Sequence, residues 1–430
     1  MKTILKDINL FNPVSQIDEK GISVLLENGV IKKVGEINKQ ESDGAEVYDF
    51  TGNYVVPGFF DMHVHFREPG REDKETVISG CDSASNGGFT GIACMPNTTP
   101  AIDSAETVGF IKKQAKNHLV DVYPVAAATL GRKGEVLSPM AELHQAGVVG
   151  FSDDGVAIKT ALILRKVLEY SQMYNLPVIE HCEDDSLADG DMNEGLNSTL
   201  LGLPAIPSIA EDLIVSRDIQ MAEYTGGKVH IAHISTKRSV EFVREAKNRG
   251  INVTAEVTPH HFTLTDDSIK TYNPNYKMNP PLRTQDDINA IIEGLKDGTI
   301  DCIASDHAPH TLEEKEEEFQ YAPNGILGLE TQVGLVFSEL YHKKILSLKD
   351  IVEKLSINPR KILNIPSPLF EIGEIANFTI IDPTAVWTVD IEKFKSKSRN
   401  SPFNKTLLNG KAIAVINKKK MFYDDEFIEL

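Results

Sequence analysis

The sequence predicts an α/β fold: a (β/α)8 barrel with a small β-sandwich domain formed by both termini. Three observations lead to this prediction. In the middle of the chain, eight short apolar runs alternate with longer helical patterns, and both ends carry hairpin-like runs. Polar side chains directly follow the apolar runs of the middle region. Alternating strands and helices form parallel sheets, and a barrel gathers polar side chains at the carboxyl ends of its strands.

The two terminal segments have strand composition. Residues 22–26 and 30–34 flank an Asn28-Gly29 pair, which is a strong signal for a two-residue hairpin turn. Residues 378–381, 412–416 and 420–423 have similar β-rich composition. We therefore assign residues 1–56 and 365–430 to the small domain and residues 57–364 to the barrel.

Eight apolar runs are predicted as barrel strands. They are residues 54–60, 90–95, 120–125, 148–151, 177–180, 228–232, 252–257 and 300–304. Residues 160–174 illustrate the amphipathic helical spacing between them. Strand and helix alternation alone leaves a doubly wound sheet open. The barrel is favoured by the polar residues after the runs: His63, His65, Asn97, Asp153, Asp154, His181, His233, His260, His261 and Asp306.

The first barrel strand ends in His63-Val64-His65. Residues two apart point to the same side of a strand, so the two imidazoles can bind one metal ion. Arg67 is a third inward candidate, and its planar cation suits a carboxylate. Four histidines and two or three carboxylates at strand ends can bind two divalent ions that share a bridging ligand. This set is typical of metal-assisted hydrolases.

Composition limits the partners and the compartment. Lys+Arg number 44 and Asp+Glu 63, so the formal charge is −19, which argues against nucleic-acid and anionic-membrane binding. Four scattered cysteines, with no Cys-x-x-Cys pair, are typical of free thiols in a reducing compartment. The first residues lack the apolar core of a signal peptide, and no stretch approaches membrane-spanning length. We expect a cytoplasmic protein that acts on a small molecule.

Five motifs carry a resemblance to a known family. They lie at residues 61–70, 93–98, 180–183, 305–310 and 396–403, and include Asp-Met-His-Val-His-Phe-Arg and Ser-Asp-His-Ala-Pro-His. The chain resembles the amidohydrolase superfamily and, within it, class I dihydroorotases of pyrimidine synthesis. The resemblance implies reversible cyclisation of N-carbamoyl-L-aspartate to (S)-dihydroorotate and water. A hydroxide activated by the metal would be the nucleophile in ring opening.

The same resemblance implies a set of metal ligands. His63, His65 and Asp306 would bind one metal, and His181 and His233 the other. The implied cofactor is Zn²⁺, with one or two ions per subunit. Asp306 would also be the general acid and base that moves the proton between the nucleophile and the amide nitrogen.

The ligand that bridges the two metals is the main departure from the superfamily pattern. Many relatives use a carboxylated lysine, whereas the fourth strand ends in Phe-Ser-Asp-Asp-Gly, with no lysine before Lys159. This resembles the bacterial branch in which an aspartate replaces the lysine. We select Asp154 on its spacing to His181. Asp153 remains the alternative.

The resemblance also implies the substrate contacts. Arg67, Asn97 and His310 would hold the free carboxylate, and Asn279 and the backbone of Asn324 and Gly325 would contact the ring. The complete set of implied substrate-binding residues is His65, Arg67, Asn97, Asn279, His310, Asn324 and Gly325. A homodimer, and a complex with aspartate transcarbamoylase, are the implied assemblies.

Two other functions remain open. The first is another cyclic-amide hydrolase, an allantoinase or a hydantoinase. Allantoinase-like sequences are expected to carry Asn in place of Arg67 and a lysine at the bridging strand, so both positions favour dihydroorotase. The second is a non-catalytic relative that serves as a binding partner of aspartate transcarbamoylase. Such proteins have typically lost ligands, whereas all six positions are filled here.

Overall fold

The computed structural model describes residues 1–430. Its twenty strands, β1 to β20, are Lys2–Asn12, Ile17–Glu27, Val30–Gly35, Ala45–Asp49, Tyr54–Pro57, Phe59–Val64, Phe89–Cys94, Asp121–Pro124, Ala126–Ala127, Phe151–Ser152, Val178–Glu180, Met192–Asn193, Ala205–Ile206, Val229–Ile231, Val253–Val257, Cys302–Ile303, Asn377–Thr388, Leu407–Asn417, Lys420–Tyr423 and Glu426–Glu429. The thirteen α-helices, α1 to α13, are Val77–Gly87, Ala105–Ala115, Met140–Ala146, Ala161–Gln172, Leu196–Leu201, Ile209–Thr225, Lys237–Asn248, Pro259–Thr263, Gln285–Asp297, Leu312–Lys315, Leu329–Val336, Leu348–Val352 and Asn358–Ile362. None of these helices combines the length and the hydropathy needed to span a bilayer.

The predicted barrel is confirmed. Its eight parallel strand positions are β6, β7, β8 continued by β9, β10, β11, β14, β15 and β16. The last strand returns to the first beyond the end of β16, because Val64 and His307 form a parallel bridge and the His65 N–H donates to the His307 carbonyl at 2.8 Å. This closure leaves the strand ends in a ring, which is the surface on which the polar residues lie.

Two apolar layers hold the barrel together. Eleven buried residues fill its interior, including Phe60, Met62, Ile179 and Ala304. A larger cluster of 62 buried residues lies between the strands, the helices and the terminal sheet. The predicted amphipathic helix at residues 160–174 is confirmed as α4, and Thr160 caps it by accepting from the Ile163 N–H at 3.2 Å.

The β-rich domain formed by both termini, which the sequence predicted as a sandwich, is also confirmed, and it is a single sheet. Its strands join edge to edge in one nine-stranded mixed sheet, in the order β20-β19-β18-β17-β5-β1-β2-β3, with β4 paired to β1. Sixteen buried residues from both terminal segments form its core. The predicted hairpin is the β2–β3 turn, where Asn28 and Gly29 both have positive φ, at 50° and 73°.

One predicted strand is in fact two. The run at residues 54–60 divides into β5, which pairs with β1 and β17 of the terminal sheet, and β6, which begins the barrel. The chain changes sheets at Gly58, where a Cβ atom would lie 2.1 Å from Asn377 Oδ1 and 2.2 Å from Thr90 Oγ1. Only glycine fits such a close approach. The proposed domain boundary at residue 57 thus falls on the last residue of β5.

Candidate metal centre

Six side chains meet at the carboxyl ends of the barrel strands. They are His63, His65, Asp154, His181, His233 and Asp306, and none exceeds 7% relative exposure. His63 lies on β6, and the other five follow the ends of β6, β10, β11, β14 and β16. These are the residues to which the sequence assigned the ligand roles.

Hydrogen bonds fix the orientation of His63 and His65. His63 Nδ1 lies 2.6 Å from Glu256 Oε1, and His65 Nδ1 lies 2.8 Å from Asn97 Oδ1. Both oxygens are acceptors, so each histidine donates from Nδ1. Each Nε2 therefore keeps its lone pair and faces the cluster, which is the tautomer that a metal-binding histidine needs.

Asp306 faces the same two histidines. Its Oδ1 lies 2.8 Å from His65 Nε2 and 3.6 Å from His63 Nε2. Burial raises the pKa of Asp306, but the adjacent His65 and His63 outweigh burial and hold it well below the usual range. Asp306 is therefore a carboxylate near neutral pH.

Asp154 and Asp153 turn to different neighbours. Asp154 Oδ1 lies 3.4 Å from His63 Nε2, and Oδ2 lies 3.5 Å from His65 Nε2. Asp153 instead accepts from the N–H and the hydroxyl of Thr129, at 3.0 and 2.6 Å. Asp153 thus ties β10 to the end of the neighbouring strand, and only Asp154 enters the cluster.

His181 and His233 form the other side of the cluster. Their Nδ1 and Nε2 atoms lie 3.0 Å apart, and these two atoms are 4.0 and 3.7 Å from Asp154 Oδ1. Glu183 Oε2 lies 3.4 Å from His181 Nε2 and accepts from it, so His181 Nδ1 is left with a lone pair toward Asp154. Asp154 therefore lies between the two groups of histidines, as a bridging ligand would.

The backbone at two of these residues is unusual. His233 and Asp306 have φ values of 31° and 46°, in the left-handed region that residues with a side chain rarely adopt. Such conformations are concentrated at functional sites, where the surrounding structure maintains them.

The donor set fits divalent cations. His63 Nε2 and Asp154 Oδ1 are buried and have no hydrogen-bond partner, although they lie only 3.4 Å apart. The His65 lone pair similarly faces the Asp306 carboxylate at 2.8 Å. Two acceptors this close repel each other unless a cation lies between them. His63, Asp154 and His233, and His63, His65 and Asp306, each bring three ligand atoms within 4.8 Å of one another.

The predicted carboxylate-binding residues lie beside this cluster in two places. Asn97 is next to His65 and uses its Oδ1 to orient it, which leaves the Asn97 amino group available. Arg67 Nε donates to the Pro309 carbonyl at 3.2 Å, and His310 follows directly in sequence. Burial lowers the pKa of Arg67 to about 10, so the guanidinium stays positive at neutral pH.

His310 is brought to the predicted ring-binding loop. Its Nε2 donates to the Asn324 carbonyl at 2.8 Å. Gly325 has a φ of 112°, and a Cβ there would lie 2.6 Å from Ala308 Cβ. The Asn324 side chain is exposed, so only its backbone lies in the site. Asn279 donates to Glu183 at 2.9 Å, on the side of His181, and the nearby Lys277 carbonyl accepts from the Gly325 N–H at 3.0 Å.

Three residues of the site were missed in the sequence. Glu256 on β15 binds His63 Nδ1 at 2.6 Å and His230 Nε2 at 3.1 Å. Burial raises the pKa of Glu256, but His63 and His230 outweigh burial and bring it to about 2. Glu183 orients His181, and Asp61 accepts from the His63 and Ser305 N–H groups at 3.0 Å.

A signal for Glu256 was present. It lies inside the predicted strand at residues 252–257, where an unpaired charge would be too costly to bury.

Comparison with known proteins identifies close relatives. A family model described as Dihydro-orotase-like matches residues 52–239. A dihydroorotase from Pelotomaculum thermopropionicum is 48% identical over 431 residues, which cover 100% of both chains. A dihydroorotase from Geobacter metallireducens is 47% identical over 425 residues, which cover 98% of this chain and 100% of the relative.

A solved structure supports the fold. An L-hydantoinase (dihydropyrimidinase) from Arthrobacter aurescens matches with a TM-score of 0.87 and 23% identity, covering 100% of this chain and 97% of that chain. At this identity the likeness shows the fold alone. The whole-length relatives at nearly half identity show more than the fold: this chain belongs to the dihydroorotase family.

Proposed function

We propose that this protein catalyses the reversible cyclisation of N-carbamoyl-L-aspartate to (S)-dihydroorotate and water. The observation that carries the proposal is a half-buried cation, Arg67, in the loop that directly follows the His63 and His65 ligands. A cyclic amide that bears a carboxylate needs both a hydrolytic centre and such a cation. The name of the whole-length relatives supports the same substrate.

We propose Zn²⁺ as the metal, with one or two ions per subunit. His63, His65 and Asp306 would hold one ion, and His181 and His233 the other, with Asp154 as the bridge. Imidazole and carboxylate ligands suit zinc. When bound, the ions supply Lewis acidity, which lowers the pKa of a coordinated water and polarises the amide carbonyl.

Asp306 is the proposed proton carrier. In ring opening, a carboxylate oxygen of Asp306 takes a proton from the attacking water and delivers it to the leaving amide nitrogen. In cyclisation, the same oxygen takes the proton from that nitrogen. The hydrogen bond between Asn97 and His65 holds His65 in place beside Asp306 during both steps.

Substrate orientation would come from two sides. Arg67, Asn97 and His310 hold the free carboxylate, with Arg67 making the charge-assisted contact. Asn279 and the backbone of Asn324 and Gly325 contact the ring amides. Because these groups lie on different loops around the cluster, they fix the ring relative to Asp306.

The experiment is a comparison of substrates on purified protein, with the metal content measured in the same sample. We expect kcat/KM for dihydroorotate to exceed the values for allantoin, hydantoin and dihydrouracil, which lack the carboxylate. Faster turnover of a neutral ring would replace dihydroorotase by an allantoinase or hydantoinase. Metal-loaded protein without turnover of any ring would indicate a non-catalytic relative.

We further propose that the protein is cytoplasmic, because its four cysteines are free and buried, as in a reducing compartment. We also propose that it forms a homodimer. Leu196 and Leu200, on one face of α5, are 74% and 73% exposed, which suits a surface that contacts another subunit. Sedimentation analysis of the protein alone tests the homodimer. The same measurement with aspartate transcarbamoylase added tests the complex that the family resemblance implies. A monomer at micromolar concentration would contradict the dimer.

A further inference from the structure

The link between β17 and β18 leaves the terminal sheet and returns to it, and we call residues 389–406 the crossover segment. Its central residues contact loops that follow barrel strands. The Ser396 hydroxyl and the Lys397 N–H donate to Glu75, and the Ser398 hydroxyl donates to the Lys74 carbonyl at 2.8 Å. The terminal domain thereby reaches the loop after the first barrel strand.

Asn400 joins the crossover segment to two loops of the catalytic face. Its Nδ2 donates to the Ala308 carbonyl at 2.9 Å and to the Gly325 carbonyl at 3.2 Å. Its Oδ1 accepts from the His310 N–H at 3.1 Å, and its own carbonyl accepts from the Leu327 N–H at 2.9 Å. All hydrogen-bonding atoms of the side-chain amide are therefore committed to two loops of the site.

These two loops carry the proposed substrate contacts. The loop at 308–310 ends in His310, and the loop at 324–327 provides the Asn324 and Gly325 backbone. The two loops also bond to each other directly, through His310 Nε2 and the Asn324 carbonyl. The planar amide of Asn400 bonds to both loops at once and so helps to hold the carboxylate-binding groups in place relative to the ring-binding groups. Asn400 is 4% exposed, so its hydrogen bonds to the two loops are shielded from water.

We propose that Asn400 is a positioning residue for substrate binding: its side-chain amide holds His310 and Gly325 at the relative positions that substrate binding requires. Asn400 touches neither the metal ligands nor the reacting atoms. This inference rests on the proposed function. Its consequence is a split in the kinetic constants, because lost uniform binding raises KM while kcat is largely kept.

A matched control lies elsewhere in the same domain. Asn417, on β18, is 3% exposed, and its Nδ2 donates to the carbonyls of Thr90 and Leu119, at 3.4 and 2.8 Å, and to Asp121 at 2.9 Å. It joins the terminal sheet to the starts of β7 and β8, away from the catalytic face. Asn400 and Asn417 thus have similar burial and similar numbers of contacts, but only Asn400 contacts substrate loops.

The test compares Asn400→Ala, Asn400→Asp and Asn417→Ala in the full chain. Asn400→Asp keeps the acceptor for His310 and replaces the donor with an oxygen that faces two carbonyls. Displaced binding groups commonly cost one to two orders of magnitude, so we expect KM for dihydroorotate to rise roughly 10- to 100-fold in both Asn400 variants. We expect kcat to change less than about threefold, with bound metal unchanged. Asn417→Ala should lower the unfolding midpoint and leave KM within about twofold.

Four outcomes are informative. A KM increase in Asn400→Ala no larger than in Asn417→Ala overturns the inference, as does an increase that accompanies metal loss. If Asn400→Ala does not fold, Asn400→Asp gives the same comparison, and an unchanged KM in that variant overturns the inference. Wild-type protein that binds metal but does not turn over dihydroorotate contradicts the proposed function itself, which separates the two failures.

Discussion

Asp306 has two proposed tasks, as a metal ligand and as a proton carrier, and one substitution separates them. Asp306→Asn keeps an oxygen that can coordinate, so the fold and most bound metal should persist. Proton transfer should be lost, and turnover of dihydroorotate should fall by about 10²- to 10⁴-fold. Steady-state rates and metal content on the same sample measure both effects. A variant within a few-fold of wild type would contradict the proton role.

Arg67 distinguishes a carboxylate-bearing substrate from a neutral ring. Arg67→Lys keeps the charge but loses the planar guanidinium, so KM for dihydroorotate should rise by about tenfold or more, with a smaller effect on kcat. The control is Arg165→Lys, because Arg165 is exposed on α4 and pairs only with Glu169 and Tyr224. Equal KM values for the two variants would remove Arg67 from the binding site.

Single residues at strand ends could be found in the sequence because a strand end has a recognisable pattern. His63 and His65 follow the period of two, and Asp306 follows an apolar run. Glu256 could not be assigned in this way, because it lies inside a strand and its partner His63 is 193 residues away. The choice between Asp153 and Asp154 also depends on a distant partner, Thr129, which is 24 residues from Asp153.

At the scale of elements, the sequence located the strands and assigned them to the barrel or to the terminal domain, but it did not show where one run divides between the two sheets. The run at residues 54–60 is uniformly apolar, so composition could not show that β5 pairs in the terminal sheet while β6 enters the barrel. The run divides where its hydrogen-bond partners change from strands of the terminal sheet to a strand of the barrel. The β2–β3 hairpin was predictable because the Asn-Gly turn is local.

The end of β10 gives an element-scale prediction. Asp154→Ala should lower the metal content, most at the site of His181 and His233, which would retain only two protein ligands. Asp153→Ala should retain metal and lower the unfolding midpoint, because it removes two hydrogen bonds to Thr129. Metal analysis and urea unfolding of both variants provide the measurement. Metal loss from Asp153→Ala alone would identify Asp153 as the bridge.

At the scale of the whole molecule, the two termini and the barrel are one interlocked structure. Residues from both ends share the terminal sheet, and the crossover segment then returns to the catalytic face. The sequence indicated the division into a barrel and a terminal domain from composition. It could not indicate the contact between Asn400 and His310, which are 90 residues apart in segments of different domains.

This chain is proposed to hydrolyse and form dihydroorotate with metal held by an aspartate bridge. The most direct measurement is the dihydroorotase rate of metal-free protein during titration with Zn²⁺, in CO₂-depleted buffer and in bicarbonate. A carboxylated lysine needs CO₂, whereas Asp154 does not. We therefore expect activity to rise with bound zinc equally in both buffers. Bicarbonate-dependent activation would contradict the bridge, and zinc-loaded protein without activity in either buffer would contradict the function.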